Sequence, residues 1–383
     1  MAFRINGEKL FFSFFVFSLS VRPLFSLFGL SVPPSYFIAP LIVAFFSRDF
    51  KIKNQYMFYI CTMAAFLLFQ AISVFWSFNQ QVSIKYSFHI PFLLLIFLLA
   101  FSMFRDAKRL ENNLRSATYM VFIINAIMLS VHLYCIFLGV GREGDIILFS
   151  LVEKGIYRYL GANSDPNFQA FYLLFFIGVC LQLKVKYRFL ITLTLSAALL
   201  ATLSRSGIAA YFACLFIWFL FKRRFFSLVA TSGSFFLGYL FFSGSLYIEK
   251  RMSGIETGAG RFQLWGEAIR IFNESPLWGH GFGAYMSLLQ SRGLGGHFAH
   301  NTFLEIMVSS GVLGLFFLVI YFSSVFCLFL IKGNGFKDGC FAAISALGMA
   351  LTLSSFINPF FYFLMAITVC ILLNQIVSNE KTV

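Results

Sequence analysis

Residues 301–331 read NTFLEIMVSSGVLGLFFLVIYFSSVFCLFLI, a long apolar run that exceeds the roughly 17 to 25 residues needed to carry a helix across a bilayer. The run is entered from residues 258–301, where Arg, Glu, His and Gly interrupt an otherwise lipid-soluble chain. At the junction, His300-Asn301 sets a titratable side chain at the mouth of a membrane helix. The polar stretch therefore reads as a rim over a bundle of spans, and that rim as an active site.

Composition gives the same setting for the whole chain. Hydrophobic residues make up 60%, charged residues 11%, and 56 of 383 residues are Phe, more than a water-soluble domain could bury without exposing adhesive patches. Apolar runs recur near residues 10–30, 33–47, 56–76, 87–104, 116–139, 167–183, 188–204, 206–221, 225–247, 301–331, 340–357 and 359–377. The predicted fold class is thus all-α: a polytopic integral membrane protein of about twelve transmembrane helices, with a large outer loop containing an amphipathic helix. Residues 1–383 read as a single transmembrane domain, without an internal repeat or linker.

Orientation follows from the basic residues. With a cytoplasmic amino terminus, the inner segments hold Arg4 and Lys9; Arg48, Lys51 and Lys53; Arg105, Lys108, Arg109 and Arg115; Lys184, Lys186 and Arg188; Lys222, Arg223 and Arg224; Lys332 and Lys337; and Lys381. These are 18 of the 29 Lys and Arg residues, the positive-inside pattern, and both termini are then cytoplasmic. The inner charges need only topology and anionic lipid headgroups to explain them. Most of the others fall in two outer loops, 140–166 and 248–300, where topology alone would select against them. An anionic ligand at the outer face is the economical reading. No soluble basic domain exists to carry a nucleic acid.

The seven Cys sit in or beside apolar runs, so neither a disulfide framework nor a thiolate metal site is indicated. The first run, with Ser18-Leu19-Ser20 after it, has the outline of a secretory leader, but eleven further spans need no removable one.

Arg205 stands in LSRSG (203–207), between two apolar stretches with almost no loop. It is either a snorkelling cation that caps helix carbonyls or a fixed guanidinium fork for a phosphate. Arg261 opens RFQLWGEAIRIF (261–272), in which Phe262, Trp265, Ile269 and Phe272 share one face of an amphipathic helix. Glu267 with Arg270, and Arg270 with Glu274, are spaced as helix ion pairs. Arg261 lacks such a partner and opposes the helix dipole, which makes it the better ligand candidate. PLWGHGFG (276–283) is either a plain loop or a set of exposed backbone N–H groups for an anion. His297 and His300 have the spacing of a two-ligand metal pair, but no matching carboxylate or Cys set converges, so no metal is expected. A neutral His300 beside Arg side chains suits a general base. In GANSDPNF (161–168), Ser164 or Asp165 serves as N-cap, and Asn167 is a secondary candidate for a sugar contact.

Taken together, SRSG (204–207), Gly260-Arg261 with Trp265, PLWGHG (276–281), HNTFLE (300–305) and GVLG (311–314) resemble the O-antigen ligase and polymerase family of bacterial envelope glycan assembly. The likeness is specific over residues 160–315. It implies an inner-membrane enzyme that takes a glycan from an undecaprenyl-diphosphate carrier on the periplasmic side, with no nucleotide sugar, metal or cofactor. Residues 248–300 would be the periplasmic loop carrying catalytic residues. Arg205 and Arg261 would bind the diphosphate, His300 would activate the acceptor hydroxyl, and Arg270 and Asn301 would be supporting substrate contacts. A carrier-linked oligosaccharide and membrane lipid are the implied partners, with a chain-length regulator as a further candidate. The compact outer loops favour a polymerase, whose acceptor is another carrier-linked repeat unit, over a ligase, whose acceptor is the lipid A core. A lipid-linked glycan transporter is the alternative from another class, although transporters place charge near the membrane midplane and this chain concentrates it at one rim.

Overall fold

A computed structural model describes residues 7–23, 25–27, 30–46, 50–153, 155–183, 185–221, 260–331 and 335–374. Helices dominate: α1 (Gly7–Ser18), α2 (Ser35–Phe46), α3 (Met57–Ile72), α4 (Gln80–Ser87), α5 (Ile90–Met103), α6 (Ala107–Leu138), α7 (Pro166–Gln182), α8 (Arg188–Ala201), α9 (Arg205–Phe221), α10 (Arg261–Glu274), α11 (Ala284–Ser291), α12 (Thr302–Ile331), α13 (Gly335–Thr352) and α14 (Pro359–Asn374). Four described segments are long and apolar enough to cross a membrane: Asn54–Trp76, Gln80–Met103, Ala107–Leu138 and Thr302–Ile331. Seven more apolar helices are shorter, and the run at 225–247 lies outside the described residues.

Helices α7 and α14 are apolar all round and buried along nearly their whole length, as the innermost members of a bundle must be. Helix α14 packs on α5 and α13, and α13 in turn on α7 and α9. Toward the outside, Phe45, Phe75, Phe137 and Phe189 project from the bundle, where hydrocarbon and not water is the solvent that suits them. Helix α6 runs 32 residues, about 48 Å at 1.5 Å per residue, and so extends past an apolar layer of about 30 Å. It begins at Asp106, whose carboxylate accepts the Arg109 N–H at 2.9 Å, and ends at left-handed Gly139. Its first turns include Lys108, Arg109 and Arg115, which the sequence places in a loop.

Three further features depart from the sequence expectation. The run at 10–30 stops as a helix at Ser18, because Pro23 cannot continue it and the Arg22 N–H turns away to the Ala162 carbonyl at 2.8 Å. A two-stranded hairpin, β1 (Phe25–Leu27) with β2 (Leu30–Val32), follows. The outer loop after α6 is not irregular: β3 (Ile146–Ile147), β4 (Ser150–Glu153) and β5 (Ile156–Tyr159) form an antiparallel sheet with Leu151 opposite Arg158. Buried hydrogen bonds hold this sheet to the bundle. Asn125 accepts from Tyr159 at 2.8 Å and from Gln169 at 2.9 Å, and His132 meets Ser150 at 2.7 Å. The fold class is therefore helical with two small sheets.

The long run at 301–331 is not one straight helix. Gly311 has φ 61° and ψ −160°, a conformation open essentially only to glycine, and it breaks α12 one-third of the way along. The gap is filled by the loop before α11. The N–H groups of His280 and Gly281 each donate to the carbonyls of Val308 and Ser309 at 2.8 Å, and the Val312 N–H donates to the Pro276 carbonyl at 2.8 Å. This exchange ties the first third of α12 to residues 276–281 and fixes where α12 begins.

Candidate active site

Four helices begin at one place. A cavity of about 660 Å³ is lined by Ser164, Asp165, Pro166 and Asn167 at the start of α7, by Arg205 and Ser206 at the start of α9, by Gly260 and Arg261 at the start of α10, and by His300 just before α12. Residues of β4 and β5 and His297 close its sides. Each helix start carries a partial positive charge, so the convergence alone makes the chamber favour an anion.

Local sequence dictates each start. Asp165 Oδ1 accepts the Asn167 N–H at 2.6 Å, with Pro166 in the first helical position. Leu203 turns the chain in the left-handed region at φ 51°, and Ser204 Oγ accepts the Gly207 N–H at 3.2 Å, which leaves Arg205 as the first residue of α9. Gly260, also left-handed at φ 80°, does the same for Arg261. His300 is left-handed at φ 52°, and Asn301 Oδ1 caps α12 by accepting from Phe303 at 3.1 Å and Leu304 at 3.2 Å.

A left-handed His costs free energy, and the surroundings supply it. Trp265 Nε1 donates to the Ala299 carbonyl at 2.8 Å and binds α10 to the turn. Below, buried Glu305 accepts from Ser354 at 2.6 Å, and the backbone N–H groups of Ala299 and His300 face its carboxylate. The turn that carries the imidazole is thereby held by groups from α10 and α12.

Electrostatics sharpen the picture. Arg205 and Arg261 make no ion pair with a described residue. Burial pushes the Arg261 guanidinium below its usual range, the Arg205 charge pushes it further, and Asp165 partly restores it. His300 is pushed below the ordinary imidazole range by burial first and by Arg261 second, with Asp165 acting in the opposite sense and His297 adding to the depression. The site therefore offers two guanidinium groups that form no ion pair with a described residue beside an uncharged imidazole, an arrangement that gains from a bound dianion.

Arg205, Arg261 and His300, three positions far apart in the sequence, thus share one cavity. Arg270 and Asn301 are not among its lining residues. Arg270 is exposed on α10 and donates to Glu267 at 2.6 Å, while Asn301 is occupied as the α12 cap. Glu274 pairs with Arg292 at 2.6 Å and not with Arg270. The glycine loop at 276–283 is no anion cradle either, since the N–H groups of Gly279, His280 and Gly281 are all taken by backbone carbonyls. Arg270→Ala is accordingly expected to leave the initial rate of transfer within about two- to three-fold of the parent, as for an exposed ion pair worth at most ~1 kcal/mol; a loss of two orders of magnitude would return Arg270 to the site.

Arg158 is the residue that sequence reasoning passed over. It is buried at the cavity wall, bonded to Glu153 at 2.6 Å, to the Thr202 carbonyl at 3.0 Å and to Asn167 at 3.3 Å. Each of its three guanidinium nitrogens donates to protein, so it braces β5 against the starts of α7 and α9. The only sequence signal was an Arg inside the outer loop.

Residues 190–319 match the family described as O-antigen ligase. The likeness lies in this segment of the chain. It includes Arg205, Arg261 and His300, together with the kink at Gly311 and the loop that fills it. No curated protein matches the chain. In that segment the chain is similar to the O-antigen ligase family, and the helix-rich fold with its apolar spans suits a membrane protein.

Proposed function

We propose that the protein is a polysaccharide polymerase of the bacterial inner membrane, with twelve spans, cytoplasmic termini and its cavity on the periplasmic face. It transfers a glycan from undecaprenyl diphosphate to the carrier-linked repeat unit that serves as acceptor, without a metal. The observation that carries this reading is the meeting, where four helices start, of an uncharged imidazole and two guanidinium groups that form no ion pair with a described residue. Arg205 and Arg261 grip the diphosphate and take up the charge that grows on it as a leaving group. His300 removes the proton from the acceptor hydroxyl as its oxygen attacks the anomeric carbon.

Ligation to the lipid A core uses the same donor and chemistry and differs only in acceptor. The small outer sheet and the short α10 and α11 helices offer little surface for a large core oligosaccharide, which favours the polymerase. Purified protein in liposomes, supplied with a carrier-linked repeat and a chelator, is expected to lengthen chains and release one carrier diphosphate per linkage. Lipid A core added as a competing acceptor should leave chain growth intact. Its capture of the glycan would instead identify a ligase, and movement of an intact donor across the bilayer would identify a transporter.

A further inference from the structure

Among the described residues three carboxylates line the cavity, and two have cationic partners. Glu153 is bonded to Arg158 at 2.6 Å, and Glu267 to Arg270 at 2.6 Å with Arg292 at 4.0 Å. Asp165 makes no ion pair with a described residue. A negative charge in a chamber that binds a diphosphate opposes donor binding, so its presence there calls for another use.

Helix capping does not supply that use. Asp165 Oδ1 caps α7 through the Asn167 N–H at 2.6 Å, and Asn would serve as cap equally well. The helix dipole welcomes a charge at this place but does not require one, since α9 and α10 open with Arg. The cap does fix the side chain: Asn163 Oδ1 accepts the N–H groups of Ser164 at 2.8 Å and Asp165 at 3.4 Å, so the whole turn is held from below.

The charged and titratable groups facing His300 can be assigned element by element. Arg205 comes from α9, Arg261 and Glu267 from α10, His297 from the preceding turn, and Arg158 with Glu153 from the sheet, while Glu305 lies beneath on α12. Arg261 and His297 oppose a positive imidazole, Glu267 and Glu153 are matched by their own Arg partners, and Asp165 from α7 favours it. A base in so cationic a setting meets a barrier, because taking a proton adds a further positive charge to the cavity.

We propose that Asp165 is a positioning residue for glycosyl transfer, its carboxylate pinned by the α7 cap so as to offset the charge that forms on His300. This rests on His300 acting as the base. The acceptor oxygen bonds to the anomeric carbon as the bond from that carbon to the diphosphate oxygen breaks; the diphosphate leaves with the bonding pair, and the hydroxyl proton passes to the imidazole, which returns it to water afterwards. The proton stops at the imidazole and does not pass on to Asp165, the division of roles seen between His and Asp in a Ser-His-Asp triad.

Asp165→Asn keeps the cap and removes only the charge. In full-length protein in liposomes, kcat is expected to fall at least ~10-fold, the apparent KM for donor to stay level or drop, and the acid limb of the pH profile to move to lower pH. The protein should still fold, with a thermal midpoint level with or somewhat below the parent's as the Arg205 and Arg261 charges lose an offset. In a His300→Ala background the same substitution should add no further loss. Retained kcat with a lower KM would mean a merely tolerated charge, and a raised KM with kcat intact would mean a substrate contact; either result overturns the proposal, as does an additive loss in the His300→Ala background. If His300→Ala itself retains transfer, the base assignment fails first, a result read independently of Asp165.

Discussion

Arg261→Ala is expected to lower glycan transfer by about 10²- to 10³-fold, and Arg205→Ala by a comparable factor, the loss that follows removal of a preorganised group from a developing negative charge. Protein levels should stay near normal. Neither guanidinium is tied to a described carboxylate, and the two repel each other across the cavity, so removing one relieves like-charge strain in the empty protein. A thermal midpoint equal to or above that of the parent is therefore expected alongside the lost activity. Lys should not rescue either position, because an ammonium cannot grip two phosphate oxygens in a fixed plane. Initial rates in liposomes and melting curves in detergent check both halves. Unfolding of both variants would instead assign the two Arg residues to structure.

His300→Ala is expected to cost about 10²- to 10⁴-fold in kcat, the range for removal of a general base. The pH dependence is more specific. A base works when unprotonated, and burial with the Arg261 charge holds the His300 imidazole below its ordinary value of about 6.5. Activity should thus persist below pH 6.5 and fall only as the pH drops through the depressed value. Loss of the Arg261 charge moves that limb upward, toward the ordinary imidazole, and the residual activity of Arg261→Ala suffices to measure it. The linked effect on folding has a definite sign: the unfolded chain binds the proton more readily, so this group's contribution to stability is lost as the pH falls below about 6.5.

Much of this site was legible because its parts are local. Arg261 without an i+4 partner, the apolar face of α10, and His300 at the head of an apolar run each follow from residues within one or two turns. The break in α12 was hidden because it depends on a contact between Gly311 and residues 276–281, some thirty positions away, and no periodicity in an apolar run reports it. The outer sheet was missed for a related reason. Its strands are two to four residues long, and their burial depends on Asn125 and His132 of α6 and on Gln169 of α7. Asp165 was read only as a cap, since sequence shows its neighbours along the chain but not the imidazole across the cavity. For Arg270 the helix spacing already indicates the Glu267 pair, and the structure adds its exposure away from the cavity lining.

The central claim is that Arg205 and Arg261 bind one diphosphate between them. Titration of undecaprenyl diphosphate into the protein in lipid nanodiscs tests it without any turnover. The parent should bind, and each single Ala variant should bind about 10- to 100-fold more weakly, the span expected for losing a charge-assisted hydrogen bond. An affinity unchanged in the Arg205→Ala, Arg261→Ala double variant would contradict the account.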